Sequence, residues 1–366
     1  MKQQNSFSKF IISCFCLKSC TSEGIQNLDA HEADYKPNER PKDLISLPSP
    51  APYTDTFEFN LRTSSKFSLY LHPDQPESNV PPFPGCPQIK PSYRPAELPV
   101  YTTEIIQLTE QKLGKLIYPI SEPRENSENI AKGPTMMENR AIYIGEWNSS
   151  GEKHGRGIQI WPDGSKYEGE WSNNKANGFG RLIHADGDVY EGNWLNDKAS
   201  GHGTYIHSNG TKYEGSWLED QQHGQGKEIW PDGAQYEGSY SLGSKRGQGK
   251  FIWADGSSYV GEFLNNDIHG IGTYLWKDGR KYFGEWKTNK MSGKGEFFWP
   301  DGRYYTGDYL EDKKHGFGVF IWNDGKKYEG IWEKGKQHGV GYIFDIFGTK
   351  RQGEWAFGKR VKFIDC

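Results

Sequence analysis

Beyond about residue 140 the chain alternates. A tyrosine is followed two residues on by glycine and two further on by another ring: Tyr167-x-Gly169-x-Trp171, Tyr190-x-Gly192-x-Trp194, Tyr259-x-Gly261-x-Phe263. Side chains of a strand point to alternate faces, so these three positions share one face and the charged residues between them share the other. A second apolar run follows in each unit, as in Phe251-Ile252-Trp253 and Tyr274-Leu275-Trp276, and an Asp-Gly or Asn-Gly pair closes the unit. Asp-Gly between two such runs predicts a β-hairpin, because glycine supplies the positive φ of the turn. Each unit therefore predicts two antiparallel strands.

The units recur with a fixed period. Tyr143, Tyr167, Tyr190, Tyr213, Tyr236, Tyr259, Tyr282, Tyr305 and Tyr328 are 23 residues apart, except for a first step of 24 that carries one extra residue near Gly151. A degenerate tenth unit starts at Arg351, with Gly353 and Trp355. The recurring rings form a candidate ladder, either a groove for partners or purely structural. It comprises Tyr167, Trp171, Tyr190, Trp194, Tyr213, Trp217, Trp230, Tyr236, Trp253, Tyr259, Trp276, Tyr282, Trp286, Trp299, Trp322, Tyr328 and Trp332. A lone hairpin is not stable in water, but stacked hairpins bury a continuous stripe. The expected fold is all-β: an elongated single-layer antiparallel β-meander of stacked hairpins over 141–358, with a tail at 359–366. At about 4.8 Å per strand the ribbon would run roughly 90 Å.

Upstream the pattern disappears. Residues 1–140 hold 17 of the 20 prolines and 4 of the 45 glycines, whereas all 13 tryptophans lie beyond them. Residues 25–140 read as a Pro-rich arm, extended or disordered over much of its length. One stretch differs. In 102–117, Ile105, Leu108, Lys112 and Leu116 recur at helical intervals and Thr103 stands at the start, which predicts a short amphipathic helix. Its expected role is to dock on the first repeat and cover the open sheet edge.

Composition narrows the class. Apolar residues make up 34% of the chain and aromatic ones 14%, too few aliphatics for a large α/β enzyme core and too many rings for simple disorder. The net charge of −4 gives no nucleic-acid footprint. It is unevenly spread: 141–276 carries 11 basic and 18 acidic residues, 277–366 carries 18 and 13. The basic third suits an anionic lipid surface, an acidic partner or the acidic half of a second copy; an ordinary mixed surface is the alternative.

The units resemble the MORN (membrane occupation and recognition nexus) repeat. Tyr213-Glu214-Gly215-Ser216-Trp217, then His223-Gly224-Gln225-Gly226, then Asp232-Gly233 is a nearly complete copy, while Ser200, Arg246 and Ser292 depart from it at the His and Arg351 at the Tyr. The resemblance covers about three-fifths of the chain. It implies an elongated β-meander and roles in scaffolding, self-association and membrane apposition, with protein partners and no cofactor. Similar repeats occur in junctophilins, plant phosphatidylinositol phosphate kinases, radial-spoke heads and protist cortical proteins. The expectation is a non-enzymatic scaffold in the cytoplasm, at a membrane, the cell cortex, a basal body or a cilium. Two alternatives stand: an axonemal subunit without membrane contact, and a regulatory subunit of a separate phosphoinositide kinase.

Other chemistry is sparse. The recurring His154, His223, His269, His315 and His338 are about 9.6 Å apart from unit to unit where consecutive, too far to share a metal ion. The Gly-x-Gly pairs read as turn and packing glycines rather than a phosphate cradle. Glu168, Glu191, Glu214, Glu237 and Glu329 read as a charge row, and no catalytic constellation stands outside the repeat. Cys14, Cys16 and Cys20 lie in residues 1–24 beside Phe10, Ile11, Ile12, Phe15 and Leu17. Three readings stay open: palmitoylation of a membrane-proximal segment, ordinary thiols, or a zinc site of unusual spacing. The apolar run of about eight residues is too short for a membrane span and lacks a signal-peptide cleavage site.

Overall fold

The computed structural model describes residues 98–119 and 129–364. Cys14, Cys16, Cys20 and most of the Pro-rich arm lie outside them. The described residues form one helix, α1 (Glu104–Leu113), and 21 strands in one open antiparallel sheet. Every strand pairs with its neighbours in sequence, so the sheet is a simple meander. The sheet is longer than the periodic pattern. Strand Ile130–Met136 precedes the first unit, within the segment read as arm, and Lys359–Phe363 follows the last, within the segment read as tail. Neither carries the Tyr-x-Gly-x-Trp signature. Pro134 stands in the outermost strand at the start, where no further ladder bond is required of its nitrogen.

The core is built on one face from a repeated contact. Each unit's Tyr ring lies flat over two glycines on adjacent strands, Gly215 and Gly226 in the unit of Tyr213. The nine hydroxyls each donate to the carbonyl three residues on, from Tyr143 to Glu146 at 2.9 Å through Tyr328 to Ile331 at 3.1 Å. The ring is the unit's own tyrosine. A Cβ on Gly226 would stand 2.4 Å from the Tyr213 hydroxyl oxygen, so side chains are excluded there by close approach. Gly224, two residues earlier, is needed for another reason: its φ of +70° forms the bulge that shifts the register between Gly215 and Trp217. In several units the residue between Gly and the second ring ties this bulge down, as where Glu170 accepts from the Phe179 amide at 2.8 Å.

Each Tyr ring is gripped edge-on by two others, its own unit's ring and the next unit's. Trp147, Tyr143, Trp171, Tyr167, Trp194, Tyr190 and Trp217 begin an unbroken column that ends at Tyr328 and Trp355. Centroids in this column are 4.9–5.7 Å apart and the rings are near perpendicular. Such pairs contribute about 0.5–1.5 kcal/mol each beyond burial. Several indole N–H groups bond the backbone: Trp171 donates to the Gly157 carbonyl at 3.0 Å, and Trp194, Trp217, Trp286 and Trp332 repeat the bond.

Two turn types alternate. Asp-Gly does not form a two-residue hairpin turn. It ends a three-residue loop, in which Trp161 bonds Ser165, Gly164 donates back to Trp161, and Gly164 has φ +93°. The two-residue turns lie at the opposite edge, where Asn173-Asn174, Asn196-Asp197 and Glu219-Asp220 all have positive φ. They carry no Asp-Gly and were not read from the pattern. The extra residue near Gly151 has its explanation here: a three-residue loop closed from Asn148 to Glu152 replaces the two-residue turn in the first unit. The second turn residue also staples units together. Asp220 takes the Ala199 amide at 2.7 Å on its carboxylate and donates its own amide to the Ala199 carbonyl at 3.0 Å. The same pair of bonds recurs at Asn174, Asp197, Asn266, Asn289 and Asp312.

These contacts predict a graded response to a single methyl group. Gly226→Ala is expected to cost about 1–3 kcal/mol by forcing the Tyr213 ring off the sheet. Gly133→Ala, with nothing within 4 Å of the new carbon, should change stability by less than about 0.5 kcal/mol. Urea denaturation followed by tryptophan fluorescence measures both.

Candidate interaction surface

The geometry divides the predicted ladder from the accessible surface. Tyr167, Trp171, Tyr190, Trp194, Tyr213, Trp217, Tyr236, Tyr259, Tyr282, Trp286, Tyr328 and Trp332 are buried in the central column. Trp230, Trp253, Trp276, Trp299 and Trp322 join Phe251, Tyr274, Phe297 and Phe320 in a second column beside the three-residue loops, with centroids 4.2–5.7 Å apart. Trp276 and Trp299 are buried, whereas Trp230, Trp253 and Trp322 are partly so. The rings pack against one another and against backbone, and the sheet's other face looks outward.

Several polar groups on the inner face are paired, whereas, among the described residues, the Trp147 and Trp299 indole N–H groups and the Tyr309 hydroxyl are buried without a hydrogen-bond partner. Lys245 meets Glu228 at 2.9 Å, both nearly inaccessible, and the Tyr240 hydroxyl donates to the same carboxylate at 3.0 Å. Lys153 donates to Gln159 at 2.6 Å and lies 3.7 Å from the Trp171 ring centre. Burial pushes the Lys153 ammonium down to about 8. The Tyr hydroxyls of the column are held above their ordinary range, chiefly by burial. Among the described residues, no group of three His, Cys, Asp or Glu could hold a metal ion.

The outward face is built from the positions between the conserved-spacing residues. Glu168, Glu191, Glu214, Glu237 and Glu329 lie here, each beside a cation: Lys166, Arg181, Lys212, Lys227 and Lys327, at 2.6–3.9 Å. Two of the recurring histidines serve turns, His223 accepting from the Leu242 amide and His269 from the Thr288 amide, both at 3.5 Å. Apolar residues missed by the ladder are exposed along this face, among them Val260, Ile271, Leu275, Phe283, Phe298, Phe317, Ile331 and Val340. Their signal was present as the odd positions of the same alternation, Phe283 between Tyr282 and Gly284 for example, but polar residues fill those positions in other units.

The helix α1 shows what such a face can hold. Thr103 caps it, with its hydroxyl accepting from the Ile106 amide at 3.4 Å. The helix presents Ile106 rather than Ile105 or Leu108, which are exposed. Ile106 packs against Ile183 and Val189, with Leu113 and Ile206 around them. Glu110, one turn on, pairs with Lys166. Arg181 donates to the Gly114 carbonyl at 2.7 Å, satisfying the helix end. Beyond it the Tyr118 ring meets Phe179 edge-on and lies under the Arg156 guanidinium at 3.7 Å. A cleft of about 400 Å³ between helix and sheet is lined by Glu110, Lys115, Lys166, Glu168, Arg181 and Ile183, with charges of both signs. The helix thus lies across the outward face of the first three units, with Glu110 on Lys166 at the end of the first and Ile106 between the second and third. It does not cover the sheet edge at the first, because the apolar seat for Ile106 is on the face.

The fold is that of a repeat protein, with the ladder rings packed internally and a long outward face. Nine consecutive segments match the MORN repeat, at 143–166, 167–189, 190–212, 213–235, 236–258, 259–279, 282–302, 305–327 and 328–342. They span more than half of the chain, which belongs to the MORN-repeat family. No curated protein matches it. Among solved structures, the TCP domain of SAS-4 (dCPAP) from Drosophila melanogaster, in complex with a proline-rich motif of Ana2, is 14% identical, with 52% of this chain and 98% of that chain covered and a TM-score of 0.28. The wild-type TCP10 domain of Danio rerio CPAP is 11% identical, with 64% and 99% covered and a TM-score of 0.31. At these values the likeness carries nothing about function. Among the described residues, no helix is long and apolar enough to cross a membrane.

The seat of α1 predicts a separable release. Val189→Lys places a charge under Ile106 and is expected to remove amide protection from 104–113 in hydrogen exchange, while the column residues keep theirs. Protection unchanged in α1 would mean the seat does not hold it.

Proposed function

We propose that this chain is a non-enzymatic scaffold whose sheet presents its outward face to protein partners. One observation carries the reading: the ladder rings are used up in the core, while the opposite face displays other apolar side chains, such as Ile271, Phe283 and Phe317, among paired charges. Exposed apolar area of this kind is a mark of association surfaces. Membership of a repeat family built for interaction supports it. Photo-crosslinking tests it in cells. A crosslinker at Phe283 or Phe317 is expected to give discrete protein adducts, and one at buried Trp286 is not. Equal, featureless labelling from both faces would remove the scaffold reading.

The arm supplies the tether in this proposal. Cys14, Cys16 and Cys20 would be acylated together, since two or more chains anchor stably where one does not. Changing all three to Ser is expected to move the protein from the membrane to the soluble fraction. An unchanged distribution would leave the scaffold without a lipid anchor and favour attachment to a cytoskeletal structure.

A further inference from the structure

The α1 seat is a row of four residues paired across adjacent strands: Lys166 opposite Ile183, Ile183 opposite Val189, and Val189 opposite Ile206. The feature that sets it apart is Val189. At this place in the unit the other repeats carry Lys166, Lys212, Gln235, Ser258, Lys281, Lys327 and Lys350. Two exceptions remain: Ile142, which lies between Met136 and Ile160 and is itself buried, and Tyr304. Around Tyr304 the register repeats the α1 seat: Lys281 opposite Phe298, Phe298 opposite Tyr304, and Tyr304 opposite Ile321. Phe298 and Tyr304 touch ring to ring at 4.9 Å, and the Lys281 ammonium lies 5.6 Å from the Phe298 ring centre. In the first seat Ile183 and Val189 are covered, at 2% and 3% exposure, whereas Phe298 is 38% exposed.

We propose that Lys281, Phe298, Tyr304 and Ile321 form a second helix seat, occupied by a short amphipathic helix of a partner protein. The chemistry of that helix follows from the first seat. A branched aliphatic residue rests on the Phe298–Tyr304–Ile321 row, as Ile106 does on its own. An acidic residue one turn later meets Lys281, as Glu110 meets Lys166. The helix end differs. Glu296 stands where Arg181 donates to the Gly114 carbonyl of α1. A carboxylate facing a helix C-terminus is unfavourable unless the helix brings its own cation, so Glu296 selects a helix ending in Lys or Arg and disfavours others. Helix-in-face recognition of this kind rests on a few anchors at one-turn spacing. Units between the seats carry Lys212, Gln235 and Ser258 at the same place, so the two seats are separate rather than one continuous groove.

The proposal rests on the scaffold reading and deepens it to one partner chemistry. It is tested on the purified full-length chain, so its failure leaves the crosslinking and fractionation outcomes untouched. The probe is a fluorescein-labelled peptide of residues 101–118, which carries Ile106, Glu110, Lys112 and Lys115 in the required order. Saturable binding is expected below about 1 mM, weakened at least about tenfold by Tyr304→Lys and by Glu110→Lys in the peptide. Because lysine occupies this place in five other units, circular dichroism and the thermal midpoint of Tyr304→Lys should be close to the parent's. Three results would overturn the proposal. One is no saturable binding. Another is loss of binding with Val189→Lys but not with Tyr304→Lys, which would place the peptide in the first seat by exchange. The third is a dimer of the parent chain that Tyr304→Lys dissociates, which would make a second copy the occupant.

Discussion

Everything in this sheet depends on a tyrosine ring lying flat on glycine. The ring reaches the backbone of two adjacent strands only because Gly215 and Gly226, and their equivalents, have no side chain. In that position its hydroxyl finds the carbonyl three residues on, and it is met edge-on by a ring on either side, Trp217 and Tyr240 in the case of Tyr213. A single sheet normally needs a second layer to bury its apolar face. Here the rings cover the sheet themselves, and each unit is held to the next by the shared ring, by the indole N–H and by the turn staple from Asp220 to Ala199. The cost is restriction: size, polarity and backbone angle are specified at several places in every unit.

That restriction explains where variation is tolerated. The inner face accepts a charge only with its partner, as at Lys245 and Glu228, since a buried lone charge would cost several kcal/mol. The outward face has no such demand. Its positions change from unit to unit between Lys, Glu, Thr, Val and Phe, and the α1 seat arises where one of them happens to be Val189. Individual features can therefore be written onto a constant frame, which is the economy of a repeat scaffold.

Much of this was legible beforehand. The 23-residue period, the facing of Tyr, Gly and Trp, and the stacked meander follow from alternation and size, which are local properties. The turns were legible in part. Asp-Gly marks a reversal, yet whether the loop has two residues or three depends on which flanking amides pair, and Trp161 and Ser165 do so one step outside the strands. The two-residue turns were hidden because Asn173-Asn174 or Glu219-Asp220 adopt positive φ only under the hold of the neighbouring unit. Strand Ile130–Met136 was invisible for a related reason: its exposed residues carry no burial pattern, and pairing with Ile142–Trp147 alone makes it a strand.

The sequence by itself determined the repeat, the identity of the inward face and the pairing of strands within each unit, because steric fit between ring and glycine is settled within a unit and its neighbour. Only the tertiary structure decided what is accessible. Helical spacing pointed to Ile105, Leu108 and Leu116; Leu116 is buried, but within the helix the sheet selected Ile106 over Ile105 and Leu108, since burial of a helix face is determined by the surface it meets. Likewise the ladder was as consistent with an open groove as with a core until the rings were seen to close on one another. Accessibility is a property of what covers a residue, and covering is supplied by parts of the chain far away in sequence.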